Sequence, residues 1–154
     1  MARYLANKKE SRTITLTSFL FTFPAIYGLY NRIYILSTIL IITSLISANY
    51  WRKPTYSWRR DLDLIFAKFS FILFVTTGFI YVPINYSYSG VPLIICCYMC
   101  SEQLHKNNTS SWYYFHAGFH FLMMCELFNI LYFVNRSIRD TANAQHGGFA
   151  DSAM

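Results

Sequence analysis

The sequence predicts an all-α fold, a polytopic transmembrane helix bundle of about five spans. Five apolar stretches, each close to the ~20 residues that a spanning helix needs, occupy most of the 154 residues. Charged residues make up only 13% of the chain, against roughly a quarter in an average soluble protein. A chain of this length cannot bury so much apolar surface in a water-soluble core, so a membrane protein is predicted.

The elements follow from the apolar runs and the residues that interrupt them. Residues 1–12 form a basic N-terminal lead-in, residues 13–135 form a single bundle, and residues 136–154 form a flexible polar tail. The turn after the first span is very short, because one helix through it would be far longer than a bilayer is thick. Pro54 stops any continuous helix after the second span. The predicted spans are about 13–30, 33–50, 63–82, 88–103 and 112–134.

The fourth segment is the weakest, since Pro83, Gly90 and Pro92 interrupt its apolar run. It either spans or is re-entrant, and the alternative fold therefore has four spans plus a re-entrant segment. Lys and Arg in the loops place the N-terminus in the cytosol, whereas the side of the C-terminus depends on this segment. The expected partner is the lipid bilayer. The net charge of +6 lies mostly in short loops beside the spans, so no nucleic-acid partner is expected.

His116 and His120 lie one helical turn apart inside the last predicted span. Four residues correspond to about 40° around a helix, so both imidazoles point in the same direction. Two imidazoles at this spacing are suited to binding zinc, and ionisable residues inside a membrane are usually functional. The alternative interpretation is a pair of structural histidines that are hydrogen-bonded within the bundle.

Asp61 and Asp63 open the third span about 200° apart, so only one of them can face the bundle. Lys68 follows Asp61 by seven residues, on nearly the same face and roughly 10 Å deeper. If Asp61 faces inward, Lys68 does so too; if Asp63 does, Lys68 is expected to extend to the interface. With five spans, Ser47 lies near the same membrane face as the aspartates and the histidine pair.

Glu126 is the one acid deep in the last span, and Asn129 follows it by about one turn. It lies more than ~80° away from the histidine face, so it either pairs with another helix or is protonated, since an unpaired charge there is costly. Lys68 is a candidate partner for it, although the two differ in depth by about 10 Å. If Lys68 and Glu126 line a path through the membrane, the chain is a channel or transporter subunit.

The cysteines lie inside apolar runs, which favours reduced, packed thiols over a disulfide framework. Cys97 and Cys100 have the spacing of a redox or metal motif, with Cys96 beside them. A single pair in an apolar run is weak evidence for that chemistry. Packing, or acylation near the interface, is the favoured interpretation.

Ser47, one of the two aspartates and the sequence His116-Ala-Gly-Phe-His120 resemble the pattern of the CREST superfamily, which includes alkaline ceramidases and progestin/adipoQ receptors. That pattern is a Ser, a His four residues later, an Asp near the start of the next helix, and a His-x-x-x-His pair in the last helix. The resemblance implies a membrane hydrolase in which three histidines hold zinc. The Asp would support the bound water that cleaves an amide. Two departures stand against it: Trp51 occupies the place of the first His, and the family has seven spans.

Three functional hypotheses follow. The favoured one is a degenerate CREST-like core that is structural or lipid-binding without catalysis, with Lys68 standing where the metal charge would be. The second is a zinc-dependent membrane amidase acting on an N-acyl lipid. In it the histidine pair binds the zinc, and Ser47 and one aspartate are catalytic residues. It needs a further zinc ligand, taken from Asp61, Asp63 or His105. The third is the channel or transporter subunit.

Overall fold

The computed structural model describes residues 5–151, with side chains described except at 87–89 and from 145 onward. Residues 1–4 of the predicted lead-in and 152–154 of the predicted tail lie outside the described residues. Most of the described residues lie in helices and none in a strand, which confirms the all-α prediction. The helices are α1 (Lys8–Tyr30), α2 (Tyr34–Trp51), α3 (Trp58–Tyr81), α4 (Ile84–Lys106) and α5 (Trp112–Asp151).

Helix α1 begins inside the predicted lead-in because a capping box fixes its first turn. The Asn7 side chain accepts a hydrogen bond from the Glu10 backbone N–H at 3.0 Å, and the Glu10 carboxylate accepts one from the Asn7 N–H at 2.8 Å. The helix passes through a 3-10 step at Phe19–Phe21. Pro24 explains this step, since it has no N–H for the carbonyl four residues earlier and its ring crowds that carbonyl.

Small residues bring α1 and α2 into close contact. Gly28 lies directly against Ser37, where a Cβ at Gly28 would overlap the Ser37 hydroxyl. Nearer the start of α1, the Ser44 hydroxyl donates to the Ser18 carbonyl at 3.0 Å. Close approach through glycine and serine is how helices associate in membranes, where lipid is as apolar as the side chains.

Helix α4 is one continuous helix of 23 residues that runs antiparallel beside α5. The Tyr86 ring packs on Phe133 near one end of the pair, with centroids 5.7 Å apart, and Ser101 contacts Trp112 near the other. A re-entrant segment would instead enter and leave at the same end. Four helices, α1, α2, α3 and α5, are long and apolar enough to cross a membrane.

Helix α5 continues beyond residue 136, where the sequence predicted a flexible tail. It extends to Asp151, a length of 40 residues. Residues 137–146 contain no glycine or proline to end it, and Arg136 forms an i, i+4 ion pair with Asp140 at 3.8 Å. The prediction failed because polar composition was taken as disorder, whereas this segment has good helix formers such as Ala142 and Ala144.

The five helices alternate in direction, which gives the bundle two distinct ends. The basic end holds the start of α1, the loop between α2 and α3, and the loop between α4 and α5. Two apolar clusters fill the core, and a layer of polar side chains separates them. The smaller cluster, at the basic end, contains Ile14, Trp112 and Tyr113. The larger one, towards the opposite end, contains Phe21, Ala25, Ile33, Leu40, Phe74, Val82, Leu127, Ile130, Leu131 and Val134.

Large apolar side chains also cover the outside of the bundle. Ile65, Phe69 and Ile72 on α3 are each more than half exposed. In water such a surface would be unstable, whereas in lipid it contacts acyl chains at no cost. The fold is therefore that of an integral membrane protein.

Candidate functional site

The histidine pair of α5 lies in the polar layer between the two apolar clusters. The rings of His116 and His120 meet edge-on, with centroids 4.9 Å apart, because a four-residue spacing stacks them on one face of the helix. His120 is only 3% exposed. The Phe21 ring closes one side of the His120 imidazole at 5.2 Å.

A hydroxyl group reaches Nδ1 of each histidine. Thr17 Oγ1 on α1 lies 2.9 Å from His120 Nδ1, and Ser101 Oγ on α4 lies 3.4 Å from His116 Nδ1. Both hydroxyls also donate to backbone carbonyls, that of Thr17 to Ile14 and that of Ser101 to Trp112. A hydroxyl has one proton, so the imidazole Nδ1 is the donor in each pair. Nε2 is then the acceptor nitrogen of both rings.

Trp51, at the end of α2, occupies the space beside His116. Its ring centroid lies 5.0 Å from that of His116 and 5.9 Å from that of Trp112. The backbone carbonyl of Trp51 accepts a hydrogen bond from the Ser11 hydroxyl, which fixes the end of α2 against α1. An indole N–H is a donor only and cannot bind a metal ion.

Ser47 lies one turn before Trp51 and is buried. Its hydroxyl is 3.1 Å from that of Ser18, and the Asp63 carboxylate lies nearby. Asp63 is partly buried, whereas Asp61 is exposed. Of the two predicted aspartates, the structure therefore brings Asp63 to Ser47 and leaves Asp61 outside the bundle.

These contacts connect side chains from all five helices, which we call the polar cluster. Its members are Thr17, Ser18, Ser47, Trp51, Asp63, Ser101, His116 and His120. Sequence reasoning missed Thr17, Ser18 and Ser101. Single hydroxyls are common in apolar helices and commonly bond their own backbone, so nothing local distinguishes these three.

The donor set of the polar cluster does not fit a catalytic zinc ion, which takes three protein ligands and a water. Among the side chains that the structure describes, no three of His, Cys, Asp or Glu converge as a metal site. His105, a predicted third ligand, points instead to the N-terminal segment. Its Nε2 lies 3.0 Å from the Leu5 carbonyl, and its ring packs on Trp112 at 4.5 Å.

Lys68 is exposed on the outer face of α3. The prediction that its ammonium stands in the place of a metal ion is therefore wrong. Asp63 rather than Asp61 faces the bundle. With this rotation of α3 the helical period turns Lys68 outward, as predicted for the case in which Asp63 faces inward.

Glu126 lies between α5 and α4, where its carboxylate covers Gly90 so closely that a Cβ there would overlap it. Asn129 follows about one turn later on the same helix, close to the Glu126 carboxylate. Gly78 on α3 is level with Ile130 on α5. Ten residues earlier on each helix, Lys68 is therefore level with His120. Glu126 lies six residues beyond His120 along α5, about 9 Å from the level of Lys68. The structure does not bring Lys68 and Glu126 together along one path.

An apolar cleft between α3, α4 and α5 lies beside Glu126. Its volume is about 20 Å³, and Phe74, Met123 and Leu127 are among its walls. A cavity needs at least ~10–15 Å³ to hold one water molecule, so this cleft has room for about one. It is too small for a lipid chain in this conformation.

The fold and the polar cluster define an integral membrane protein of the helical-bundle class, with hydrogen-bonded histidines at its core. Family models, curated proteins and solved structures contain no match to the chain.

Proposed function

We propose that this protein is a multi-pass membrane protein with a degenerate CREST-like core, structural or lipid-binding in role and without catalysis. The observation that carries the proposal is the contact between Trp51 and His116. The indole stands where the family pattern has its first zinc histidine, one turn after Ser47 on α2 and against the first histidine of the pair.

The hydrogen bonds of the polar cluster favour a packing role. A hydroxyl from another helix meets Nδ1 of each histidine, and the Ser18 hydroxyl meets that of Ser47, with Asp63 nearby. Among the described side chains, no fully buried polar atom lacks a hydrogen-bond partner. Such a satisfied network stabilises helix association inside a membrane, where each unpaired polar group is costly. Lipid contact belongs to the apolar outer surface of the bundle.

We also propose that all five helices cross the membrane, with the basic end in the cytosol. That end exposes Lys8, Lys9, Arg12, Arg52, Lys53 and Lys106, whereas the opposite end exposes Arg32, Arg136 and Arg139. An excess of Lys and Arg in short loops marks the cytosolic side. This orientation puts the N-terminus in the cytosol and the C-terminus on the other side.

The proposal is tested by measuring zinc per chain in purified wild type and in Trp51→His, with Trp51→Phe as the matched control. If the indole has replaced a ligand, Trp51→His supplies the third imidazole and gains near-stoichiometric zinc. Wild type and Trp51→Phe are expected to stay at background. In a further variant, Trp51→His combined with His120→Ala, the gained zinc is expected to disappear.

Two results would contradict this proposal. Stoichiometric zinc in wild type that vanishes in His116→Ala/His120→Ala would favour the amidase, which cleavage of an N-acyl lipid by wild type would then establish. Failure of a folded Trp51→His variant to bind zinc would show that the cluster lacks the geometry of a CREST core. Detergent gel filtration identifies folded variants in both cases.

A further inference from the structure

Three cysteines lie in the last half of α4, close to the basic end of the bundle. Cys96 and Cys100 are one turn apart and therefore share a side of the helix. Cys96 is exposed and Cys100 is partly exposed, so both thiols lie on the outer surface of the bundle. Cys97 differs, since its thiol donates a hydrogen bond to the Phe115 carbonyl of α5 at 3.1 Å.

The depth of Cys100 is set by its neighbours. Ser101, the next residue, bonds the carbonyl of Trp112, the first residue of α5. Glu102 and Lys106 then form an exposed ion pair at 3.3 Å, which marks the polar interface. Cys100 thus lies only two residues, about 3 Å, below the first charged group, and Cys96 about 9 Å below it.

We propose that Cys100 and Cys96 are an S-acylation site that carries long-chain acyl groups from an acyl thioester of coenzyme A. In the transfer, the cysteine sulfur attacks the thioester carbonyl carbon and forms a new C–S bond. The bond from that carbon to the coenzyme A sulfur breaks, and coenzyme A leaves as the thiol with the proton that the cysteine lost. Nothing is oxidised or reduced.

The position of these thiols suits the product as well as the reaction. An acyl chain attached just below the interface enters the lipid directly, and each CH₂ that it buries strengthens the attachment. Cys125 makes a useful contrast, since it is equally exposed to lipid. It lies thirteen residues into α5, about 20 Å from the basic end, where a transferase at the interface cannot reach it.

The test is thioester exchange on full-length protein expressed in a eukaryotic cell line. Free thiols are blocked, thioesters are cleaved with neutral hydroxylamine, and the released thiols are labelled with a maleimide that shifts the protein on a gel. Wild type and the control Cys97→Ser/Cys125→Ser are expected to gain the same hydroxylamine-dependent shift. Cys96→Ser/Cys100→Ser is expected to lose it, and Cys100→Ser alone to lose the larger part.

An unshifted wild type, or a shift that survives in Cys96→Ser/Cys100→Ser, overturns the site. The inference rests on the proposed orientation, because the transferases and their acyl donors are cytosolic. Protease access to an N-terminal tag, in intact and in permeabilised cells, tests that orientation separately. A cytosolic tag with no acylation overturns the site alone, while a tag on the other side overturns both.

Discussion

The Trp51 indole meets the His116 imidazole at an angle of 61°, with ring centroids 5.0 Å apart. This contact joins the end of α2 to the first turns of α5, and it fills the space beside His116 with an indole that cannot bind a metal ion. An edge-to-face aromatic pair contributes roughly 0.5–1.5 kcal/mol beyond its buried area. At the same place a third imidazole would complete a set of zinc ligands, which is the substitution that the zinc measurement on Trp51→His examines.

Thr17→Val is expected to lower the free energy of unfolding by about 1 kcal/mol, because it leaves the Nδ1 proton of His120 without an acceptor inside the membrane. Thr15→Val is the matched control. The Thr15 hydroxyl bonds only the Ser11 carbonyl of its own helix, at 2.8 Å. Unfolding of the detergent-solubilised protein by a denaturing surfactant measures both variants. Equal losses would contradict the role given to Thr17.

Gly28→Ala is expected to destabilise the protein by roughly 1–3 kcal/mol, because the added methyl group overlaps the Ser37 hydroxyl. Adding Ser37→Ala removes that oxygen and is expected to restore most of the loss. Gly78→Ala serves as the control, since its Cβ would meet Ile130 at an ordinary 3.5 Å. Thermal unfolding of the three variants gives the comparison. A double variant no better than Gly28→Ala would place the strain elsewhere.

Lys68→Leu is expected to leave the unfolding free energy unchanged or to raise it by up to about 2 kcal/mol. The reason is that an ammonium exposed on a spanning helix is replaced by a side chain that lipid accepts. Lys106→Leu, which breaks the interface ion pair with Glu102, is expected to give no gain. Unfolding in bicelles measures both. A clear loss in Lys68→Leu, or an ion flux that changes with it, would revive the channel hypothesis.

Asn31 and Asn135 tie the turn between α1 and α2 to α5 at the end of the bundle opposite the basic one. The Asn135 amide donates to the Asn31 side-chain oxygen at 2.9 Å. A double-mutant cycle with Ala at both positions is expected to give a coupling energy of about 0.5–1.5 kcal/mol. The same cycle on Asn31 and Asn129, which lies beside Glu126 rather than Asn31, is expected to give none.

Periodicity and composition were enough to predict the all-α membrane fold and the shared direction of His116 and His120, because both depend on neighbours along one helix. The choice between Asp61 and Asp63 required the rotation of α3, which the sequence leaves open. Thr17 and Ser101 could not be predicted as histidine partners. Their contacts depend on which helices adjoin α5, and many hydroxyls in the chain offer the same chemistry.

The hydrogen bond between Thr17 and His120 joins residues 103 positions apart. A chain inserted into a membrane from its N-terminus places Thr17, Ser18 and Ser47 in lipid long before α5 has been made. Until then Thr17 lacks its histidine partner, whereas Ser18 and Ser47 already meet each other across α1 and α2. The final helix therefore supplies the last inter-helix partner of this layer, and a chain without α5 leaves the Thr17 hydroxyl bonded only to its own helix.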